Sequence, residues 1–281
     1  MGAWFATFLK ENGYRVVISD NNRRAARAIA RKRGFGLAKD QETAITSSQV
    51  VVLATPTQTT KKILEQVQRV PSPETLLVEI SSVKEPLRRI LQGLRKRGVP
   101  LLSIHPMYGP GAKTLEGQTV LAISIPQRNN QANRILSLFR RSGATVIRCS
   151  LTEHDRMISA LLTLPHFVNL TMTKTLRAMG FSPEQLRKLS GTTYRLQLLI
   201  AQIITQENPE NEASILMDSD NSMEIIKKYI RECEAAMRLQ RKGNRRRLIK
   251  ELHSSRNFLE RDRMFSSAYK DFNAAAAALA T

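Results

Sequence analysis

The chain has 281 residues, 42% of them hydrophobic, and 44 Lys and Arg against 24 Asp and Glu give it a formal charge of +20. That length and apolar content suit one large or two medium domains with a proper core, and the charge favours anionic partners. No apolar run approaches the roughly 20 residues of a membrane helix, and Met1-Gly2-Ala3-Trp4-Phe5-Ala6 has neither a basic leader nor a cleavage-like site, so neither membrane insertion nor a secretory signal is expected.

In chain order, residues 3–12 read as an amphipathic helix stopped by Gly13. Residues 14–19 read as a strand ending at Asp20, and 22–33 as a helix closed by Gly34. The apolar run 50–54 is a buried strand ended by Thr55-Pro56, followed by a helix over 59–67. A strand over 76–80 runs into Ser81-Ser82-Val83-Lys84, then a helix over 85–97. The next apolar run, 99–104, leads to His105, and strands at 120–125 and 145–149 flank a helix over 130–142. Strands alternating with helices predict a doubly wound, mostly parallel sheet. From Thr152 the pattern is helical only, over 154–179, 182–190, 194–206, 222–241 and 245–271, with an alanine-rich tail from Asn273. The expected organisation is an α/β domain over 1–150 and an all-helical domain over 151–281.

Ser103-Ile104-His105-Pro106-Met107-Tyr108-Gly109-Pro110-Gly111 is the most informative stretch. Pro106 should stop the strand, because proline cannot donate to a ladder, and two Gly/Pro steps then turn the chain. His105 is thereby left at the carboxyl end of a strand, where open α/β sheets bind ligands. A histidine there can act as a general base; the alternative is a satisfied histidine in a turn.

Asp20, at the tip of its strand, is placed to accept hydrogen bonds from an adenosine ribose, at close to the roughly 20-residue spacing from Gly2 that a dinucleotide fingerprint shows. An ordinary helix-capping aspartate fits equally well. Asp20 favours NAD, whereas Arg23 or Arg24 could accept the 2′-phosphate of NADP. With Gly2 and Asp20, the strand-end pair Thr55 and Pro56 is assigned to the cofactor. Such a fold normally opens with a strand and a glycine-rich turn, and here the first element is the helix. The expectation is that the native chain begins upstream of Met1; the alternative is a form that binds the cofactor poorly.

Cys149 and Cys233 lie far apart without metal spacing and read as free buried thiols of a cytoplasmic protein; no metal is expected. The basic clusters, densest over 238–250, lack interleaved aromatics and predict only salt-sensitive adhesion to nucleic acid, with no specific site.

Several of these segments resemble the prephenate dehydrogenase family. Gly2-Ala3-Trp4-Phe5-Ala6 looks like the end of its glycine loop, and Ser82-Val83-Lys84 like its serine motif. His105-Pro106-Met107-Tyr108-Gly109-Pro110 is similar to its H-P-M-F-G-P signature, the most specific match. Glu153-His154-Asp155-Arg156 and Leu164-Pro165-His166 resemble motifs that open its helical domain, and Tyr194-Arg195-Leu196 with Gln206-Glu207-Asn208-Pro209 resembles its substrate-side helix. A monofunctional, archaeal-type member is the nearest likeness.

The resemblance implies a Rossmann-type domain followed by a helical dimerisation domain, a homodimer, and oxidative decarboxylation of prephenate with NAD or NADP in tyrosine biosynthesis. It assigns His105 as base or hydrogen-bond acceptor at the substrate hydroxyl and Ser82 as the residue that orients it, with His166, Gln202, Arg195 and Tyr108 on the substrate side. His166 reads equally as a helix-packing residue. His154 is expected to be structural, with Asp155 and Arg156 pinning its helix. One position departs from the family: six residues before Pro209, where an arginine usually grips a substrate carboxylate, stands Ile203. Isoleucine cannot replace a bidentate guanidinium, so an altered substrate such as arogenate or another hydroxyacid, or a non-catalytic relative, stays open. A related hydroxyacid or imine reductase is a further reading.

Overall fold

The apolar runs at 76–79, 101–106 and 119–123 become strands buried almost throughout, as the interior of a sheet covered on both faces requires, whereas the strand at 50–53 is half-buried and that at 145–149 largely exposed. The computed structural model describes residues 1–67, 75–123 and 130–278, and the chain divides into two units, Met1–Ile158 and Ser159–Thr281.

In the first unit the order is α1 (Gly2–Glu11), β1 (Val17–Ile18), α2 (Arg23–Arg33), β2 (Gly36–Leu37), α3 (Gln41–Thr46), β3 (Val50–Leu53), α4 (Thr57–Val67) and β4 (Leu76–Glu79). A 3-10 turn, Glu85–Leu87, leads into α5 (Arg88–Lys96), followed by β5 (Leu101–Pro106), β6 (Thr119–Ile123), α6 (Asn130–Arg141), β7 (Thr145–Cys149) and α7 (Leu151–Ile158). The main sheet runs β3-β4-β5-β6-β7, parallel except where β6 returns antiparallel to β5. That reversal follows from the 107–118 connection, which carries no helix to return the chain for a parallel pairing. Two cores make the sheet doubly wound. Phe5 and Phe8 of α1 pack with Leu136 and Phe139 of α6 on one face, and Leu64 of α4 packs with Leu91 and Leu94 of α5 on the other.

The differences from the sequence reading are local. Only Val17–Ile18 of the expected 14–19 strand pairs, and its partner Gly36–Leu37 was not expected. The short α3 was not expected either. Pro106 is the last paired residue of β5, opposite Val120, so the strand ends one position later than its proline suggested. Residues 124 and 125 of the expected 120–125 strand, and 279–281 of the tail, lie outside the described residues.

The second unit begins with a π-helical turn, Ser159–Thr163, and holds α8 (Leu164–Ala178), α9 (Pro183–Leu189), α10 (Thr192–Gln206), α11 (Pro209–Met217), α12 (Asp220–Arg241), α13 (Arg245–Leu259), a 3-10 turn Phe265–Ser267 and α14 (Ala268–Ala277). The expected helix over 154–179 is therefore interrupted. Pro165 cannot donate, and its ring crowds the carbonyl of Leu161, four residues back and inside the widened turn. The expected helix over 245–271 is broken after Leu259. Helix α11 was missed although its start is well signalled: the Asn208 side chain accepts from Glu210 N–H at 2.8 Å, and Pro209 occupies the first turn. The interior carries a polar tie in which the Thr163 hydroxyl donates to Ile215 O at 2.9 Å and lies 2.9 Å from Ser222 Oγ. Cys149 is buried as expected, but Cys233 is exposed on α12. Among the described residues no helix is long and apolar enough to cross a membrane, and no group of three or more His, Cys, Asp or Glu could hold a metal.

Candidate active site

Strand β5 lies inside the sheet, and His105 is its penultimate residue, opposite Leu121 and 4% exposed. A buried imidazole needs partners for its polar atoms, and helix α7 supplies one. His154 Nε2 lies 3.0 Å from His105 Nδ1, and His154 Nδ1 lies 2.9 Å from Asp155 Oδ1. Asp155 Oδ1 also accepts the backbone N–H of Lys84 at 3.3 Å, and Arg88 of α5 lies 3.5 Å from its Oδ2.

This order fixes the protons. A carboxylate only accepts, so the neutral His154 carries its proton on Nδ1 and presents a bare Nε2. His105 must then donate from Nδ1, which leaves the lone pair on its own Nε2. Among the described residues no group hydrogen-bonds that nitrogen. Burial, first, and then the neighbouring His154 and the Lys84 cation hold His105 well below the ordinary histidine value of 6.5. Burial also lowers His154, against the pull of its Asp155 hydrogen bond. The result is a neutral imidazole in a single tautomer with a free basic nitrogen, the state a general base requires.

Sequence reasoning treated His154 as structural and missed that it orients His105. The signal was available: a His-Asp pair directly after a strand is the composition of a base-orienting relay. Lys84 and Glu79, both 0% exposed, were missed as well. Burial pulls Lys84 down and Glu79 up from their ordinary values, and their mutual attraction opposes both shifts.

Around this centre the expected residues fall in separate places. Ser82 is half-buried between β4 and the 3-10 turn and makes no hydrogen bond to His105, while its neighbour Ser81 is buried with an unpartnered hydroxyl. The Tyr108 ring lies tilted against Trp4, centroids 5.0 Å apart, and the Trp4 indole N–H donates to Ala112 O at 2.9 Å and ties the loop after β5 to α1. The Tyr108 hydroxyl is buried without a partner, and burial pushes its pKa far above the usual phenol value. Gly2 opens α1 beside the end of β3, where a Cβ would sit 3.5 Å from Ala54 Cβ. Thr55 and Pro56 follow directly, with Thr55 Oγ1 2.8 Å from Thr60 Oγ1. Asp20 is exposed beyond β1, and its Oδ1 accepts Asn22 N–H at 2.7 Å.

In the second unit, His166 Nδ1 lies 2.5 Å from Glu212 Oε2, so its ring is hydrogen-bonded to α11. Arg195 and Gln202 are exposed on α10, as is Ile203 at 53%.

A doubly wound, mostly parallel sheet with a histidine relay at its strand ends is the architecture of a nucleotide-binding dehydrogenase. Residues 5–148 match the nucleotide-binding domain of prephenate dehydrogenase, and residues 150–254 match the dimerization domain of the same enzyme. The chain belongs to the prephenate dehydrogenase family. It is 25% identical to a "Probable arogenate/prephenate dehydrogenase" of Methanocaldococcus jannaschii over 89% of its length and 56% of the relative's. It is 28% identical to the T-protein of Enterobacter agglomerans over 74% of its length and 55% of the relative's. The chain thus spans little more than half of these curated relatives. Its fold is similar to that of A. aeolicus prephenate dehydrogenase in complex with hydroxyphenyl propionate and NAD+, with a TM-score of 0.73 at 20% identity over 93% and 95% of the two chains. It is also similar to Synechocystis arogenate dehydrogenase, with a TM-score of 0.64 at 16% identity over 91% and 95%.

Proposed function

We propose that this chain oxidatively decarboxylates prephenate, or its amino analogue arogenate, with NAD or NADP as oxidant, in the route to tyrosine. The observation that carries this reading is the His105–His154–Asp155 relay at the end of β5. His105 Nε2 takes the proton of the ring hydroxyl as the carbonyl forms. The imidazolium produced is stabilised by His154 Nε2, which already accepts from Nδ1, and Asp155 holds His154 in the tautomer that permits it. Ser82, on the loop after β4, orients the hydroxyl. Tyr108, His166, Gln202 and Arg195 are the proposed substrate contacts, the last two facing carboxylate oxygens.

The dinucleotide suits the residues present. Helix α1 has no side-chain cap and no acidic residue in its first turn, which leaves its N–H groups for a pyrophosphate. The second carboxylate oxygen of Asp20 is free of the turn that engages Oδ1. Gly2, Asp20, Thr55 and Pro56 would hold the cofactor. When bound, its nicotinamide supplies the hydride acceptor. The helical half is proposed to pair two copies of the chain, and the cytoplasm is the proposed compartment.

Ile203 favours a second reading, a relative with altered specificity or none, because its exposed position on α10 offers no charge to a carboxylate. Initial rates of cofactor reduction with prephenate and with arogenate, each with NAD and NADP, test the proposal. Turnover of either substrate supports it; cofactor binding without turnover of either selects the second reading.

A further inference from the structure

Beneath the relay lies an ion pair that no part of the proposed chemistry uses. Lys84 and Glu79 are both 0% exposed. The Lys84 ammonium donates to both oxygens of Glu79 and, at 2.8 Å, to Ile104 O. Three acceptors match the three protons of a charged ammonium. Ser103 Oγ adds weaker contacts to Glu79 at 3.4 and 3.5 Å.

The connections close a ring. Lys84 Nζ holds the carbonyl of Ile104, the residue before His105. The backbone N–H of Lys84 holds Asp155 Oδ1, which holds His154, which holds the His105 imidazole. One residue therefore fixes the backbone on which His105 is mounted and anchors the relay that orients its ring. A buried ion pair is a poor source of stability, because the desolvation of two charges consumes most of their attraction, and apolar residues of like volume commonly do as well. Its presence under the relay calls for another reason.

We propose that Lys84, clamped by Glu79, is a positioning residue that sets the placement and charge state of His105. The inference rests on reading His105 as the base. After burial and His154, the Lys84 charge also opposes protonation of the imidazole. The ionisable groups packed about the imidazole are His154 and Asp155 on α7, with Arg88 on α5 behind Asp155, and Lys84 and Glu79 below. Cys149, at the end of β7, and Glu153 stand at the edge of the set. Of these, only Lys84 combines a fixed positive charge with a direct bond to the His105 backbone segment.

The test is a histidine-selective nitrogen NMR titration of the full chain, comparing the parent with Lys84→Met. In the parent, His105 stays neutral with its proton on Nδ1 to well below pH 6.5. In a folded Lys84→Met protein the midpoint should move upward toward 6.5, and turnover should fall by about 10-fold or more with the KM for cofactor little changed, as expected when a base is slightly misplaced. An unmoved midpoint in the folded variant overturns the proposal. If Lys84→Met fails to fold because Glu79 is left unpaired, the double variant Glu79→Gln with Lys84→Met removes both charges together with the bond to Ile104 O; there the His105 ring-nitrogen shifts should depart from the parent's and turnover should fall by about 10-fold, and parent-like shifts and turnover overturn the proposal. A parent that titrates as described but turns over no substrate would retire the dehydrogenase reading alone, since the NMR arm decides the role of Lys84 independently of activity.

Discussion

His154 Nε2 stands 3.0 Å from His105 Nδ1, and this contact decides which nitrogen of His105 is free to act as a base. With His154 in turn bound through Nδ1 to Asp155, the His105 proton can reside only on Nδ1, and the lone pair faces away on Nε2. His154→Phe keeps the ring volume and removes the acceptor. It should lower kcat by about 10–100-fold through loss of tautomer and orientation, and cost about 1–3 kcal/mol because a buried N–H is left unpaired. Steady-state rates and urea denaturation of the same preparation measure both effects. Unchanged kcat would mean that the relay does not orient the base.

The pH dependence follows from the two lowered histidines. A base must be neutral, and His105 is held well below 6.5 by burial, His154 and Lys84, so kcat/KM should hold constant through neutrality and fall only in acid, below the ordinary histidine range. Stability has the same direction. Between the lowered native values of His105 and His154 and the unfolded value near 6.5, the unfolded chain binds more protons than the native one, so this contribution is complete above about pH 6.5 and is lost as pH falls through that window. Denaturation midpoints at about pH 5 and about pH 8 check the sign; a midpoint that rises on acidification would contradict it.

Ile203 stands on the exposed face of α10, beside Gln202, where a guanidinium would meet solvent instead of a packed core. Ile203→Arg should therefore fold normally. If a substrate carboxylate approaches this face, a new charge-assisted contact worth about 1.5–3 kcal/mol should lower the KM for prephenate by about 10–100-fold with kcat little changed. An unaltered KM would place the carboxylates elsewhere and favour Arg195 as their partner.

Much of this architecture was legible because its signals are local. The runs Val50–Leu53 and Leu76–Glu79 are too short and too apolar for anything but covered strands, and Gly34 marks the end of α2 by adopting φ 66°. The antiparallel return of β6 was not legible, since strand direction is set by what the connection contains and not by the strand. The two-residue β2 has no periodicity to read. His105 was found because a proline and two glycines frame it. His154 was misjudged because helical periodicity tells which residues share a face but not which side chain across the gap they meet. Glu79 did carry a signal: a carboxylate inside a run of Leu and Val in a covered strand must have a partner, and Lys84 follows five residues later. Glu212, the partner of His166, was invisible because its helix, α11, was not anticipated.

The central claim is that His105 removes the hydroxyl proton. Cofactor reduction, followed at the NADH absorbance band with prephenate and NAD, should be measured for the parent and for His105→Asn, with cofactor affinity determined separately. The account predicts a rate on the order of 10²–10⁴ lower in His105→Asn with cofactor affinity nearly intact. A His105→Asn protein that turns over at the parent rate would contradict it.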